Sequence, residues 1–403
     1  MLRTKSLIGA LLLAVGCGGA PGPDLSTRLE ADRASPREEG PLRAEHYGGA
    51  APAVDLRSRE QDLWSELAGE SDGCSCMIDP RLVLAARLHA DDLSARDGGP
   101  RRGDIDHLRF QLETVGGTDY GVQSFVASPD AEGRAALERF VAKRGGEWTH
   151  CGVGAAAGTS DAVVVWIGVR RLLELDPIPV RSRVGARLRV GGGVLVDEPR
   201  RLLAYQGLPD GSVRRLAVEG SRRLEVTVEL DRGGRHDLEI LLDVGRGPEV
   251  AALLHLYAGV EPAVRPVVTP DLGAGDGDLA LDERLASMLT AARRRSGLRP
   301  LRRDPRLDEI ACEHCEAMTQ LGFFGHVGPR GDDLAARLRS HDLLPQRSAE
   351  NIARSSSVAR AHRNLMASPS HRMHVLDRSF THVGIGVARD GDEVVVTQVF
   401  ARW

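Results

Sequence analysis

The feature that most constrains the fold of this chain is an internal repeat. The tetrapeptide Asp-Pro-Arg-Leu occurs at residues 79–82 and again at residues 304–307. In each copy a histidine follows the Asp by ten positions, and a second histidine opens a His-x-Gly-x-Gly segment that leads through a turn into an apolar, β-branched run. These histidines are His89 and His150 in the first copy and His314 and His382 in the second. A repeat of this length predicts two domains with one framework.

The remaining segments predict the domain order. The chain has 403 residues, enough for two or three domains, and a 42% hydrophobic content, enough for packed cores. Residues 177–260 alternate apolar and polar side chains between closely spaced turns, which predicts an all-β, sandwich-like module. Residues 261–280, with several Pro, Gly and Asp, predict a linker. We therefore expect an α+β protein with the first copy over residues 57–175 and the second over residues 281–403.

The first seventeen residues have the pattern of a bacterial lipoprotein signal. A basic stretch precedes an apolar run that is too short to span a bilayer as a helix, and Ala14-Val15-Gly16-Cys17 resembles a lipobox. We expect cleavage before Cys17 and a membrane anchor of acyl chains on its side chain. An ordinary secretory signal with a coincidental cysteine is the alternative. Residues 18–56 have no sustained apolar period, which predicts a disordered tether.

The same segment predicts a location. Gly18, rather than Asp, follows the lipobox cysteine. This favours the outer over the inner membrane of a bacterial envelope, with the domains facing the periplasm or the exterior. The 53 basic and 57 acidic residues are mixed along the chain, for a net charge of -4. No field of one sign gathers phosphate groups, so we expect no nucleic-acid partner.

The second copy carries a series of short motifs in a fixed order. Amphipathic helices are predicted over residues 282–295 and after Pro305, which suits a first helical turn. The motifs that follow are Phe323-Phe324-Gly325-His326, Ala349-Glu350-Asn351-Ile352, Ser368-Pro369-Ser370-His371-Arg372 and His382-Val383-Gly384-Ile385-Gly386-Val387. Their order and spacing resemble the CAP superfamily of plant PR-1 proteins, sperm-coating proteins and venom antigen 5, in its bacterial lipoprotein form. The resemblance covers residues 281–403 and implies an α-β-α sandwich with a cleft.

The resemblance also implies a cleft that gathers two histidines and two acidic residues. His326, Glu350 and His371 match three of these positions, while Leu365 and Ala367 occupy the neighbourhood of the fourth. Imidazole nitrogens and a carboxylate suit zinc, so His326 and His371 are candidate metal ligands and zinc is the candidate cofactor. A purely structural role, with Glu350 bonded to loop backbone, stays open. His341, His362 and His374 lie off the motifs, and we expect them on the surface.

Three functions are compatible with this cleft. The resemblance favours a module that binds a lipid, a glycan or a protein through His326, Glu350 and His371. The alternative is a zinc-dependent hydrolase of peptide or cell-wall material, with Glu350 as general base. A structural scaffold is the third. Binding is favoured over catalysis because the set of cleft residues is incomplete.

The first copy lacks these cleft residues. No Glu-Asn-Ile or Ser-Pro-x-His segment precedes His150, and the histidine nearest to the position that matches His326 is His107. We therefore expect a degenerate CAP-like domain, used for structure or binding, whose cleft is filled by apolar or uncharged side chains rather than by a cluster of histidine and carboxylate side chains.

The cysteines beyond Cys17 predict one disulfide bond. Cys76 lies just before the first Asp-Pro pair and Cys151 opens the last strands of that copy, so we expect Cys151 to pair with Cys76 or with Cys74. Cys312 and Cys315 share a face of a predicted helix, and no pairing is assigned to them.

Overall fold

The described part of the chain combines helices with several sheets. A computed structural model describes residues 43–69, 76–95, 105–128, 130–143, 148–157, 162–197, 199–264 and 279–403. The lipobox with Cys17, residues 18–42 of the predicted tether, and Cys74 lie outside the described residues. The predicted α+β class is confirmed. Within the described ranges, no helix is long and apolar enough to cross a bilayer.

The last part of the predicted tether is folded. A short strand, β1 (His46–Tyr47), pairs antiparallel with residues Ile178–Pro179. The side chain of Tyr47 is fully buried in the core of the β module, and its hydroxyl donates to the backbone oxygen of His255 at 2.9 Å. Tyr47, a single aromatic residue, anchors this segment, which has no apolar periodicity. The apolar pattern alone did not predict this anchor.

The N-terminal unit is a four-stranded sheet with helices on both faces. Its elements are α1 (Ser58–Gly69), β2 (Met77–Ile78), α2 (Pro80–Ser94), α3 (Ile105–Thr114), β3 (Gln123–Ala127), α4 (Ala131–Lys143), β4 (His150–Ala157) and β5 (Ala162–Val169). The sheet order is β2-β4-β5-β3, with β2 parallel to β4 and the other pairs antiparallel. One core lies between the sheet and α2 and α3, and another between the sheet and α1 and α4.

The β module is a sandwich of two sheets. Its strands are β6 (Leu173–Leu175), β7 (Ile178–Pro179), β8 (Arg181–Ser182), β9 (Ala186–Val194), β10 (Arg201–Gly207), β11 (Val213–Leu216), β12 (Val218–Glu219), β13 (Arg223–Leu230), β14 (Gly234–Asp243) and β15 (Pro248–Ala258). The sheets have the orders β11-β10-β14-β15-β8 and β12-β13-β9-β6 and share one apolar core. Strand β6 belongs to this sandwich, so the module begins a few residues before the predicted boundary.

The C-terminal unit has the arrangement of the N-terminal unit. Its elements are α5 (Leu281–Arg295), β16 (Arg302–Arg303), α6 (Pro305–Gln320), α7 (Leu334–Ser340), β17 (Arg347–Ser355), α8 (Val358–Ala367), α9 (Pro369–Leu376), β18 (His382–Asp390) and β19 (Glu393–Arg402). The sheet order is β16-β18-β19-β17, with β16 parallel to β18 and the other pairs antiparallel. Separate cores lie on its two faces, one against α6 and one against α5, α8 and α9.

The repeated residues have the same structural roles in both units. Asp79 and Asp304 are extended residues that cap α2 and α6, each accepting a backbone N–H two residues on, with Pro in the first helical turn. In the His-x-Gly-x-Gly segments, a Cβ on Gly154 would lie 2.3 Å from the carbonyl carbon of Ala86. Strand and helix backbones therefore approach closely, which only glycine permits. These parallels support the interpretation of a repeat, which stays a prediction.

The N-terminal unit holds a histidine and carboxylate cluster that the sequence did not predict. His107 Nε2 lies 2.5 Å from Asp92 Oδ2, and Gln111 Nε2 donates to the same oxygen at 2.5 Å. Gln111 Oε1 in turn lies 2.9 Å from Nδ1 of the buried His89. The cluster forms between α2 and α3, and its Asp92 and Gln111 match none of the C-terminal motifs, so motif comparison missed it.

The predicted disulfide bond is present between Cys76 and Cys151, whose Cα atoms lie 5.8 Å apart. It joins β4 to the residue just before β2, so it fixes the parallel pair of the N-terminal sheet. Cys312 and Cys315 are free thiols. Burial raises the pKa of Cys315 to about 12, which makes its thiol inert at neutral pH.

Candidate functional site

One side of the candidate cleft is built around Glu350, on β17. Its side chain is 3% exposed. One carboxylate oxygen accepts from His326 Nδ1 at 2.9 Å, and the other accepts from Arg337 Nη2 at 2.5 Å. Burial opposes ionisation, but the hydrogen bond and charge of His326 and the charge of Arg337 hold the pKa of Glu350 below its ordinary value. Glu350 is therefore an ionised, fully paired carboxylate.

His326 lies in the loop after α6. The repeat histidine His314 donates from Nε2 to the backbone oxygen of Gly325 at 3.0 Å, which holds this loop against the helix. Arg337 also donates to the backbone oxygen of His326 at 3.2 Å. Because the Glu350 carboxylate is only an acceptor, Nδ1 of His326 carries the proton of this hydrogen bond.

The other side of the cleft is formed by the first turn of α9. Ser368 is its N-cap, and the Ser368 hydroxyl lies 2.6 Å from Nδ1 of His371. Burial and the charges of His326 and His374 lower the pKa of His371 to about 3, so its imidazole is neutral at neutral pH. His371 makes no described hydrogen bond to His326 or Glu350.

Sequence reasoning missed two cleft residues. Arg337 carries no motif that would have marked it. His374, expected on the surface, is partly buried, and its Nδ1 lies 2.9 Å from Asn351 Oδ1, while Asn351 Nδ2 donates to the backbone oxygen of His371 at 3.1 Å. The spacing of His371 and His374, three residues apart on one helix, was the available signal. His362 is also partly buried, so the surface expectation is wrong for it too. Burial lowers the pKa of both His362 and His374 to about 4.

The β module covers His326. A Cβ on Gly247, in the turn between β14 and β15, would lie 2.7 Å from the Cβ of His326. The backbone oxygen of Arg246, the preceding residue of the turn, accepts a hydrogen bond from the N–H of Val327 at 3.1 Å. The β-turn therefore packs closely against the His326 loop, and the His326 side chain stays 22% exposed.

The β module also packs against α9. Met373 contacts an apolar patch on the outer face of the larger sheet, formed by Leu203, Tyr205 and Leu241. Next to it, Arg372 Nη2 lies 3.3 Å from Asp237 Oδ2, with both side chains largely buried. Two domains therefore form the walls of the cleft.

The side chains as placed do not fit a zinc ion. Zinc needs three or more ligand atoms around one point about 2 Å away. Among the described residues, the one set of three such side chains with ligand atoms within 4.8 Å of one another is Glu309, Glu313 and His341, on the surface and away from the cleft motifs. Both oxygens of Glu350 are already bonded. The zinc prediction for His326 and His371 stays a prediction.

Comparison with known proteins places this unit in a family. Residues 286–400 match the model of the CAP family, described as the cysteine-rich secretory protein family. This part of the chain is a CAP domain. His326, Glu350 and His371 lie inside the matched range, whereas the β-module residues that cover them lie outside it.

The chain is similar to two curated proteins of Bacillus subtilis (strain 168). One is Uncharacterized protein YkwD, 26% identical over 153 residues, which are 38% of this chain and 59% of the relative. The other is Uncharacterized membrane protein YlbC, 30% identical over 124 residues, which are 30% of this chain and 35% of the relative. The chain thus spans less than two thirds of the length of either relative.

Among solved structures, the chain is similar to an outer surface protein from Borrelia burgdorferi. The TM-score is 0.29 and the identity 19%, and the match covers 30% of this chain and 90% of that one.

Proposed function

We propose that the chain is a CAP-domain protein of the bacterial envelope whose cleft binds a ligand and does not hydrolyse it. The observation that carries the proposal is the pairing of Glu350 with both His326 and Arg337. A general base needs a free lone pair and a pKa near the working pH. Glu350 is poorly suited to this role, since each of its oxygens already accepts a hydrogen bond from a cleft side chain and its pKa is lowered.

The cleft suits a ligand that presents hydrogen-bond donors. His371 is neutral at neutral pH, and a neutral imidazole with its proton on Nδ1 offers Nε2 as an acceptor. A glycan, with many hydroxyl donors, matches this chemistry better than a lipid chain does.

The binding test compares two double variants of the full chain. His326→Ala with His371→Ala removes both imidazoles of the cleft, and His341→Ala with His382→Ala removes two imidazoles away from it. With soluble cell-wall glycan fragments in calorimetry, we expect the wild type and the control variant to bind alike and the cleft variant to lose at least about tenfold in affinity, roughly 1.4 kcal/mol. Equal binding by all three would overturn the proposal, and binding only to lipid vesicles would reassign the ligand.

The membrane anchor is a separate part of the proposal and rests on the sequence of residues 1–17. Growth with a labelled fatty acid should transfer label to the wild-type protein and not to Cys17→Ser. Label on both proteins, or on neither, would contradict acylation at Cys17.

We also propose that the N-terminal unit is a duplicated CAP-like domain. Its sheet order, its Asp N-cap and its glycine contacts with α2 support this interpretation.

A further inference from the structure

Strand β14 brings a carboxylate from the β module to the CAP cleft. Leu238 and Ile240 point into the sandwich core. Because side chains alternate along a strand, Glu239 points the other way, toward α9. Its side chain is 0% exposed, and its two oxygens lie 2.5 Å from Ser368 Oγ and 2.6 Å from the backbone nitrogen of Ser370.

The Ser368 hydroxyl connects this carboxylate to His371. It lies within hydrogen-bond distance of both Glu239 Oε1 and His371 Nδ1. A hydroxyl has one proton to donate, and a carboxylate can only accept. When Ser368 donates to Glu239, its oxygen must accept from His371, which places the imidazole proton on Nδ1.

Hydrogen-bond donors face both oxygens of Glu239, an environment that suits its carboxylate form. Burial raises the pKa of Glu239, and the hydrogen bonds from Ser368 and Ser370 and the charge of Arg372 limit this rise without reversing it. The Ser370 backbone N–H can only donate, so it occupies Oε2 and leaves Oε1 to face Ser368.

The geometry points to Glu239 as a positioning residue of the CAP cleft, which acts through Ser368 to keep the His371 proton on Nδ1 and leave Nε2 as an acceptor. His371 Nε2 makes no hydrogen bond with the described residues and is not enclosed by them. Glu350 likewise holds a proton of His326 on Nδ1. That His371 Nε2 accepts from a hydroxyl or amide of a ligand rests on the proposed function, whereas the assignment of the tautomer does not.

Glu239→Gln separates this role from packing, because the two side chains have nearly the same shape. The Ser370 N–H requires the amide oxygen, so the amide NH₂ faces Ser368 and donates to its hydroxyl oxygen. The Ser368 proton must then point at His371 Nδ1, which moves the imidazole proton to Nε2. Asp237→Asn is the matched control, since Asp237 contacts α9 through Arg372 and not through Ser368.

The test is the nitrogen NMR spectrum of His371 in full-length protein labelled with ¹⁵N-histidine, with no ligand added. His371→Gln assigns the signal by its loss. We expect the downfield shift of an unprotonated nitrogen on Nε2 in the wild type and in Asp237→Asn, and on Nδ1 in Glu239→Gln.

Three results would overturn the inference. They are a protonated Nε2 in the wild type, an unchanged tautomer in folded Glu239→Gln, and a tautomer change in Asp237→Asn equal to that in Glu239→Gln. If Glu239→Gln does not fold, the wild-type tautomer alone decides. Because the NMR sample contains no ligand, a failure of the glycan-binding test would not affect the tautomer result. A failure of the tautomer prediction would likewise not affect the glycan-binding test.

Discussion

At the scale of single residues, Glu350 and Arg337 form a buried ion pair. Neither charge would be stable in the interior without the other. Both side chains are less than 10% exposed and lie 2.5 Å apart. Removing one partner of such a pair leaves an uncompensated charge in the interior. The loop of His326 depends on the same arginine, which also donates to the His326 backbone oxygen.

Replacement of Arg337 tests this pair. Arg337→Met keeps the length of the side chain and removes its charge, and we expect it to lower the free energy of unfolding by about 3–5 kcal/mol. Urea unfolding provides the measurement. Arg187→Met is the control, because Arg187 pairs with Glu229 where both side chains are well exposed, and we expect little change there. Equal losses in the two variants would show that Glu350 does not need Arg337.

The buried histidines predict a pH dependence of stability. The folded-state pKa is lowered to about 3 for His371 and to about 4 for His362 and His374, whereas the unfolded value is near 6.5. Between these limits the unfolded state binds more protons, so stability is complete above about pH 6.5 and is lost as the pH falls, by up to about 1.4 kcal/mol per pH unit for each histidine.

Urea unfolding over a series of pH values measures this slope. His362→Asn removes one titrating group away from the cleft and should make the slope shallower by about one proton. A stability that stays flat from about pH 7 to about pH 5 would contradict the burial of these rings.

At the scale of elements, the contact between α6 and β18 depends on two glycines. A Cβ on Gly386 would lie 2.3 Å from the carbonyl carbon of Ala311, and a Cβ on Gly384 would lie 2.1 Å from that of Leu307. Neither backbone can move without separating the helix from the sheet. The His-x-Gly-x-Gly motif is therefore a packing signature.

Alanine substitution tests this contact. Gly386→Ala should cost at least about 1–3 kcal/mol through overpacking, read as a lower thermal midpoint. Gly193→Ala is the control, since Gly193 is also a strand residue and a Cβ there meets no atom within 4 Å. A Gly386→Ala protein as stable as Gly193→Ala would show that helix and strand are less close than described.

Sequence alone predicted those features whose cause is local. The helix that begins at Pro305 and the Cys76 to Cys151 bridge follow from residues next to the elements that they fix. Glu239 was not predicted, because its partner Ser368 is 129 residues away and in another domain. The apolar run of β14 indicates a strand that is covered on both faces. The run does not indicate which domain covers the second face.

At the scale of the whole molecule, the β module contacts both α/β units. His255, on β15, lies 2.8 Å from Glu113 of the N-terminal unit, and Arg372 of the CAP domain lies 3.3 Å from Asp237 on β14. Arg360 and Asp106 form a direct contact of 3.4 Å between the two α/β units. The cleft is therefore a property of the assembled chain, and its ligand must fit beside the β module.

The most direct test of the central claim, that the cleft binds without hydrolysis, records both properties in one sample. Full-length protein is mixed with purified cell-wall sacculi, and bound protein and soluble wall fragments are measured over time. We predict saturable binding that is lost in the double variant His326→Ala and His371→Ala, with no fragment release above that of buffer. Steady release of soluble fragments by the wild type, abolished in Glu350→Gln, would contradict the account.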